Sequence, residues 1–329
     1  MRIRLRRGRV TGITEEHDEL VRLEVDGRPT VSYPRLTGPV EIGDEVIVNV
    51  RAVELDPGSG GFDVLYANLT RGLDAEGEAG AHVISLPSTP LQAATTHVEE
   101  EGPLSETLDG MPVVCCSLHS QVAPVRAGMR GVGRVAYLQV GGGALPVSLS
   151  DTVRSLKQTG LLEVAIAAAP CMDGDLQAVN VASALAWCAA QGLGAVICSI
   201  GPGIVGTGSL LGHGGIAAAT AANAAAALGG SPIIAVRASE ADRRDRQLGV
   251  SHHVRAILEL CLADATIAWP QGLEAPEWLE PREEVDVEGW HEDCARLPLS
   301  SMGRRLEDDP CFFMCAFAAG LVARAAVMA

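Results

Sequence analysis

Residues 194–200, Gly-Ala-Val-Ile-Cys-Ser-Ile, run an apolar strand candidate directly into the loop Gly-Pro-Gly-Ile-Val-Gly-Thr-Gly-Ser-Leu-Leu-Gly-His-Gly-Gly at 201–215. An alanine-rich helix candidate, Ile216 to Leu228, follows. Strand, glycine loop and helix in that order are how an α/β protein builds a cradle for an anion or cofactor. Glycine accepts positive φ and lets consecutive backbone N–H groups approach a ligand, and the following helix adds free N–H groups and the positive end of its dipole. Gly201, Gly203 and Gly206 satisfy the GxGxxG spacing. The helix starts late, however, this is about the fourth strand of its domain, and the next strand ends at Glu240, beyond the usual distance of a ribose-binding carboxylate. No Gly-Lys-Ser/Thr occurs, which excludes a Walker loop. The loop therefore reads as a small-molecule site, with Gly201, Gly203, Gly206, Thr207 and Gly208 as its ligand-binding residues and no specified cofactor. A tight structural turn is the competing reading.

The rest of the second half repeats the same rhythm. Apolar strand candidates at Val113–Leu118, Arg134–Val140, Val164–Ala168, Ala195–Ile200, Ile233–Val236 and Ala265–Ala268 alternate with helix candidates. Those helices are Val122–Met129, Ser150–Thr159, Leu176–Gln191, Ile216–Leu228 and Val250–Leu262. Continuous apolar strands separated by helices predict a doubly wound, mostly parallel, Rossmann-like sheet covered on both faces. It would occupy 111–329 and end in an apolar helix. Residues 1–70 instead show short strands, Arg2–Ile13, Leu20–Val25, Pro29–Tyr33, Glu45–Leu55 and Asp63–Leu69, punctuated by Asp26-Gly27, Ile42-Gly43-Asp44 and Pro57-Gly58-Ser59-Gly60-Gly61. That pattern predicts a small antiparallel β-barrel. Residues 71–110, polar and rich in Glu, Gly, Pro and Thr, read as a linker with one ordered stretch, His82–Thr89.

A doubly wound sheet places its ligands at the carboxyl ends of the strands, so polar clusters should follow strands. His119-Ser120 follows the first strand, Gly141-Gly142-Gly143 the second, Asp173-Gly174-Asp175 the third and the 201–208 loop the fourth. After the fifth comes Arg237 to Arg246, then Gly249-Val250-Ser251-His252-His253. Histidine exchanges protons near neutral pH. His252 is accordingly the first candidate for general acid or base, His119 the second, and Asp242 a supporting carboxylate. Gly141, Gly142, Gly143, Ser251 and His253 join the ligand-binding set, with Ser251 also a candidate helix cap. The adjacent imidazoles of His252 and His253 diverge by about 100° on a helix, so one of them is expected to face the crevice. Arg243, Arg244 and Arg246 could clamp a phosphate, or pair with Asp242 and Asp245. His119, His252 or His253 and Asp173 or Asp175 could surround a metal, but no HExxH-like spacing is present and no metal is expected. No GxSxG elbow occurs.

A net charge of −16 argues against nucleic acid as partner, because that affinity comes from Lys and Arg releasing counterions. The five arginines within Arg2–Arg9 read as the charged face of one strand. Lys157 is the only lysine, on a polar helix, which leaves little room for Schiff-base chemistry. None of the nine cysteines forms a CxxC pair, so buried free thiols in a reducing cytoplasm are expected. The apolar stretch Pro310–Ala329 is interrupted by Arg324 and begins at Asp308-Asp309-Pro310, a capped helix start with proline at its first position. It reads as a buried or subunit-interface helix of a homo-oligomer and not as a membrane span.

Taken together, Gly-Pro-Gly-Ile-Val-Gly-Thr-Gly (201–208), Gly-Val-Ser-His-His (249–253) and Ser-Thr-Pro-Leu-Gln (88–92) resemble an uncharacterised bacterial family, largely actinobacterial, known as domain of unknown function 3866. The resemblance spans most of the chain. It implies that Gly201–Gly208 and Ser251–His253 belong to that family's pattern, and it brings no activity with it. From the residues themselves the expectation is a hydrolase or group transferase for a small anionic or phosphorylated metabolite. The alternative is a noncatalytic ligand-binding or assembly protein that uses the same loop.

Overall fold

The computed structural model describes residues 2–55, 60–73 and 77–329, which fall into two compact units, Met1–Thr96 and His97–Ala329. In the first, β1 (Leu5–Glu16), β2 (Val21–Val25), β3 (Arg28–Ser32), β4 (Glu45–Asn49) and β5 (Asp63–Asn68) close a barrel in the order β1-β2-β3-β5-β4. Four of its five seams are antiparallel, and β3–β5 is parallel. Alternation drives it: Val21, Leu23 and Val25 point into a core with Val10, Val46, Val48 and Leu65, while Arg22 and Glu24 stay half-buried. Short helices α1 (Pro34–Thr37) and α2 (Arg51–Leu55) lie in the connections. The last corrects the expectation of one long strand to Leu55. Two arginines of this charged face pair with acids of their own unit, Arg7 of β1 with Glu45 at 2.6 Å and Arg4, just ahead of β1, with Glu54 at 2.9 Å. The expected turn at Pro57-Gly58-Ser59 lies outside the described residues, as do 74–76 within the expected linker.

The segment 71–110 divides between the units. β6 (Val83–Ser85) and β7 (Ala93–Thr95) form a hairpin in the first. In the second, His97 bridges to Gln177 and Glu99 accepts a hydrogen bond from the Val179 N–H at 2.8 Å.

The second unit contains β8 (Pro112–Cys116), β9 (Val135–Val140), β10 (Val164–Ala168), β11 (Leu176–Ala178), β12 (Ala195–Ile200) and β13 (Ser231–Ala235). A two-stranded ribbon, β14 (Ala238–Ser239) and β15 (Gly249–Val250), then precedes β16 (Thr266–Pro270) and β17 (Glu283–Val285). Apart from the ribbon they form one sheet in the order β11-β10-β9-β12-β8-β13-β16-β17, parallel throughout. Helices α3 (Val122–Gly128) and α4 (Asp151–Gln158) cover one face, and α5 (Val181–Ala190), α6 (Ala217–Ala227) and α7 (His252–Leu260) the other. Along β8, Val114 and Cys116 enter the first core and Val113 and Cys115 the second. Burial on both faces is why these strands read as unbroken apolar runs.

Three elements differ from expectation. The segment Leu176–Gln191 is not one helix: β11 comes first, and α5 begins after Asn180, whose side chain accepts from the Ser183 N–H. β17, Glu-Glu-Val, is an edge strand with no apolar run to announce it. The connection between β10 and β11 carries no helix and returns Asp175 to the amino end of β10, where it pairs with Lys157 and accepts from the Ala165 N–H at 2.8 Å. The Asp173-Gly174-Asp175 cluster thus leads away from the carboxyl edge, and Asp173 is occupied by Ser148.

After the short α8 (Trp290–Cys294), α9 (Pro310–Met328) packs against α3, β8, β13 and β16. It is long and apolar enough to cross a membrane, yet most of it is buried inside the protein, and exposure begins at Arg324. Its core contact with α3 is backbone on backbone. A Cβ on Gly320 would stand 2.1 Å from the Val125 carbonyl oxygen, and one on Gly128 2.3 Å from that of Phe317. The nine cysteines are free and all but Cys261 are buried.

Candidate functional site

The strand order puts β12 between β9 and β8. Both neighbours send their next helices, α4 and α3, to one face, whereas β12 sends α6 to the other. The chain therefore parts at the carboxyl end of β12, the position where open α/β sheets form a crevice. The glycine loop leaves from this point.

Its glycines act first on the neighbouring loop. A Cβ on Gly143 would stand 2.2 Å from the Gly201 carbonyl oxygen, and one on Gly214 1.9 Å from that of Gly142. The Val205 N–H donates to Gly142, Ala144 donates to Pro202, and Gly214 donates back to Val205. These N–H groups are spent within the protein, so Gly141–Gly143 and the base of the loop form a tight loop-on-loop junction and not an open cradle. Beyond it the chain makes a narrow hairpin: the Thr207 N–H donates to Gly212 at 2.7 Å, and Gly206 bridges His213. Gly203 has φ +71°, a conformation that favours glycine. Residues 205–211 are exposed, including Val205, Leu210 and Leu211, and Gly208 lies beside the Arg246 guanidinium.

The hairpin returns at His213, buried to 7% exposure, and this side chain was not singled out from the sequence. The ring of His213 stacks on that of His253, centroids 3.8 Å apart, and meets His252 edge-on at 5.6 Å; His252 and His253 are 4.4 Å apart. Both imidazoles of the pair thus face His213, against the expectation that only one would turn inward. They occupy the first two positions of α7, where there is no preceding helical turn to separate them. Ser251 caps that helix by accepting from the His253 N–H at 3.1 Å and also donates to Gln247.

The hydrogen bonds set the protonation pattern. The Arg246 carbonyl can only accept, so His252 Nδ1 carries the proton and donates to it at 3.0 Å, leaving Nε2 unprotonated. That Nε2 is buried and has no partner, and neither ring nitrogen of His213 has one of normal geometry. Arg237, 3% exposed, donates to His253 Nδ1 at 3.0 Å. Burial lowers the basicity of all three imidazoles. The neighbouring His252 adds to this at His213, and the Arg237 cation holds His253 well below the ordinary histidine range. Burial also brings Arg237 down to about 10. At neutral pH the cluster is three uncharged rings.

The other candidates sit in networks of their own. His119 Nε2 is 2.6 Å from Ser150 Oγ, and its Nδ1 is 3.2 Å from the Tyr137 hydroxyl, which donates onward to Gln139 at 3.0 Å. Both nitrogens are engaged, and burial pushes its pKa down to about 4. Asp242 is buried and held bidentately by Arg244, with Arg237 at 3.5 Å and Arg304 at 3.6 Å. The Arg244 hydrogen bond draws its carboxyl far below the usual range, so it anchors the ribbon as a fixed anion and is a poor proton acceptor. His213 could have been found as the one histidine inside the glycine run, directly ahead of a helix, the same setting as His252.

The family described as Protein of unknown function (DUF3866) matches residues 29–320. The chain belongs to the DUF3866 family. No curated protein matches it. The match includes the whole carboxyl-edge assembly of the DUF3866 chain, from His119 to Asp309, together with β4, β5 and nearly all of β3 of the barrel, but not β1 and β2.

Proposed function

We propose that this DUF3866 protein is a cytoplasmic hydrolase or group transferase acting on a small anionic, phosphorylated metabolite at the carboxyl edge of its sheet, with His252 as general acid–base. The observation that carries the reading is the state of His252: neutral, oriented by Nδ1–H donation to Arg246, and presenting a buried, unpartnered Nε2. An imidazole fixed at one nitrogen and free at the other is prepared to take a proton. Arg243 and Arg246 are exposed on the same ribbon, form no ion pair among the described residues, and supply cations for the substrate. Gly208 lies beside Arg246 on the hairpin, and the reading extends the ligand site from there along Gly203 and Thr207. His119, with both nitrogens engaged, fills a supporting role.

The direct test is turnover of a panel of phosphomonoesters, phosphate anhydrides and carboxylic esters, comparing the wild type with His252→Ala. A general acid–base contributes about 10²–10⁴-fold, so the variant should lose at least two orders of magnitude; an activity with unchanged kcat in the variant removes His252 from the chemistry. The noncatalytic ligand-binding or homo-oligomeric assembly reading draws on the exposed Val205, Leu210 and Leu211 at the hairpin tip. It requires ligand binding without turnover, or particle mass that falls when the tip is made polar.

A further inference from the structure

We propose that His213, His252 and His253 bind one divalent first-row transition-metal ion, with zinc the best match. One ligand nitrogen from each ring lies within 4.8 Å of the other two. A tetrahedral ion with Zn–N of about 2.0–2.1 Å holds its nitrogens about 3.3 Å apart, so closure needs the rings to draw together and the His213–His253 stack to turn open. Packing alone does not account for the arrangement. Three buried ring nitrogens, Nδ1 and Nε2 of His213 and Nε2 of His252, have no hydrogen-bond partner of normal geometry, and a buried polar atom left unsatisfied is destabilising. A cation would take one lone pair from each ring and so answer the deficit at His252 Nε2 and at one nitrogen of His213.

The surroundings follow the logic of a metal centre. Metal-bound histidines donate their second nitrogen to a carbonyl or carboxylate, as His252 already does to the Arg246 carbonyl. A donor set of imidazoles without carboxylates suits zinc, copper or nickel and not magnesium or calcium. One group opposes the ion. Arg237 donates to His253 Nδ1, and ligation through Nε2 would place a proton on Nδ1, turning Arg237 off the ring. Asp242, 3.5 Å from Arg237 Nη2 and itself anionic, stands ready to receive it. Gln247, 3.4 Å from His253 Nε2, is the contact the ion displaces. Three protein ligands leave a fourth position for water or a substrate oxygen, on the partly exposed side of His252. Ligation would take the Nε2 lone pair that the functional reading gives to proton transfer, so in the metal-bound protein a water at the open position, and not the His252 ring, would serve as acid–base; the inference rests on the functional reading only for the use of that position, and ion binding stands by itself.

The test is zinc titration of untagged, chelator-stripped protein by calorimetry, with metal content measured after dialysis. The wild type should retain about one zinc per chain. His213→Ala and His252→Ala should each bind at least 100-fold more weakly, and His291→Ala, an exposed histidine on α8, should bind as the wild type does. Cobalt substitution provides a reading that needs no variant: a tetrahedral nitrogen-ligated ion gives intense visible absorption, which added zinc should bleach. A wild type that binds no zinc and gives no cobalt spectrum, or a folded His213→Ala with wild-type affinity, overturns the site. Zinc binding without any anion ligand or turnover leaves the metal site intact and fails the functional reading; a His252-dependent activity in protein that binds no metal does the reverse.

Discussion

The imidazoles of His213 and His253 lie face to face, with centroids 3.8 Å and planes 20° apart, although one residue follows β12 and the other opens α7. The contact ties two crossover connections together above the sheet. It forms where the chain parts at the carboxyl end of β12, so the position the strand order marks for a ligand is also where the neutral rings collect. Arg237 fixes one side of the stack, and the Arg246 carbonyl orients His252 beside it.

The glycines at the base of the loop are required by backbone contact. Gly214→Ala places a methyl group 1.9 Å from the Gly142 oxygen and should lower stability by about 2–4 kcal/mol, as overpacking and loss of the loop junction combine. Gly208→Ala, whose nearest neighbour is the flexible Arg246 guanidinium at 3.8 Å, should change stability by less than about 0.5 kcal/mol. Denaturant unfolding of the two variants side by side reads the difference; equal effects would mean that the junction is not tightly packed.

Helix α9 should be equally intolerant at its crossing with α3. Gly320→Ala brings Cβ to 2.1 Å from the Val125 oxygen, in a contact of two helix backbones that cannot yield locally. The expected loss is about 2–4 kcal/mol. Ala326→Ser, in the exposed last turn, should cost less than about 0.5 kcal/mol. Thermal unfolding separates these outcomes, and a Gly320→Ala protein as stable as the wild type would contradict the packing.

His119 makes stability pH-dependent. Burial brings its pKa to about 4, against 6.5 for the ordinary group, so between those values the unfolded chain holds a proton that the folded protein does not. Its contribution is fully present above pH 6.5 and is lost as the pH falls towards 4, with a maximum of about 3 kcal/mol. His119→Gln should therefore flatten the pH dependence of the unfolding free energy in that window. An unchanged slope would place the titration elsewhere.

Asp242 acts on stability. Asp242→Asn leaves Arg237 buried without its carboxylate and should cost about 3 kcal/mol. If Asp242 were itself the base, the variant would stay stable and lose activity alone; unfolding curves and kcat measured on the same sample distinguish the two.

Much of this architecture could be read from residue order, for identifiable reasons. Strands buried on both faces must be apolar throughout, which is why β8, β9, β10, β12, β13 and β16 are visible as Val, Ile, Ala and Cys runs. Edge strands escape that requirement: β17 is Glu-Glu-Val, and β11 was absorbed into the helix pattern that follows it. Asp175 was placed at the wrong edge because the β10–β11 connection lacks a helix, a feature with no sequence signature. Within the site, His252, His253 and Ser251 were legible as a cluster after a strand. His213 was hidden among glycines that had been assigned to a ligand and are occupied in packing one loop on another, and the partnership of His213 with His253 depends on a tertiary contact that no local spacing encodes.

The proposed function requires a small-anion site at the carboxyl edge, formed by the 203–208 hairpin, Arg246 and His252. The most direct measurement is a thermal-shift screen of the wild type and Arg246→Ala against inorganic phosphate, pyrophosphate, nucleotides, sugar phosphates and carboxylate metabolites. A ligand at about 100 times its Kd adds roughly 2.7 kcal/mol, enough to raise the melting temperature by several degrees. Such a rise is expected with at least one anion class in the wild type, together with its loss or marked reduction in Arg246→Ala. No shift with any anion, or one that is identical in both proteins, would contradict it.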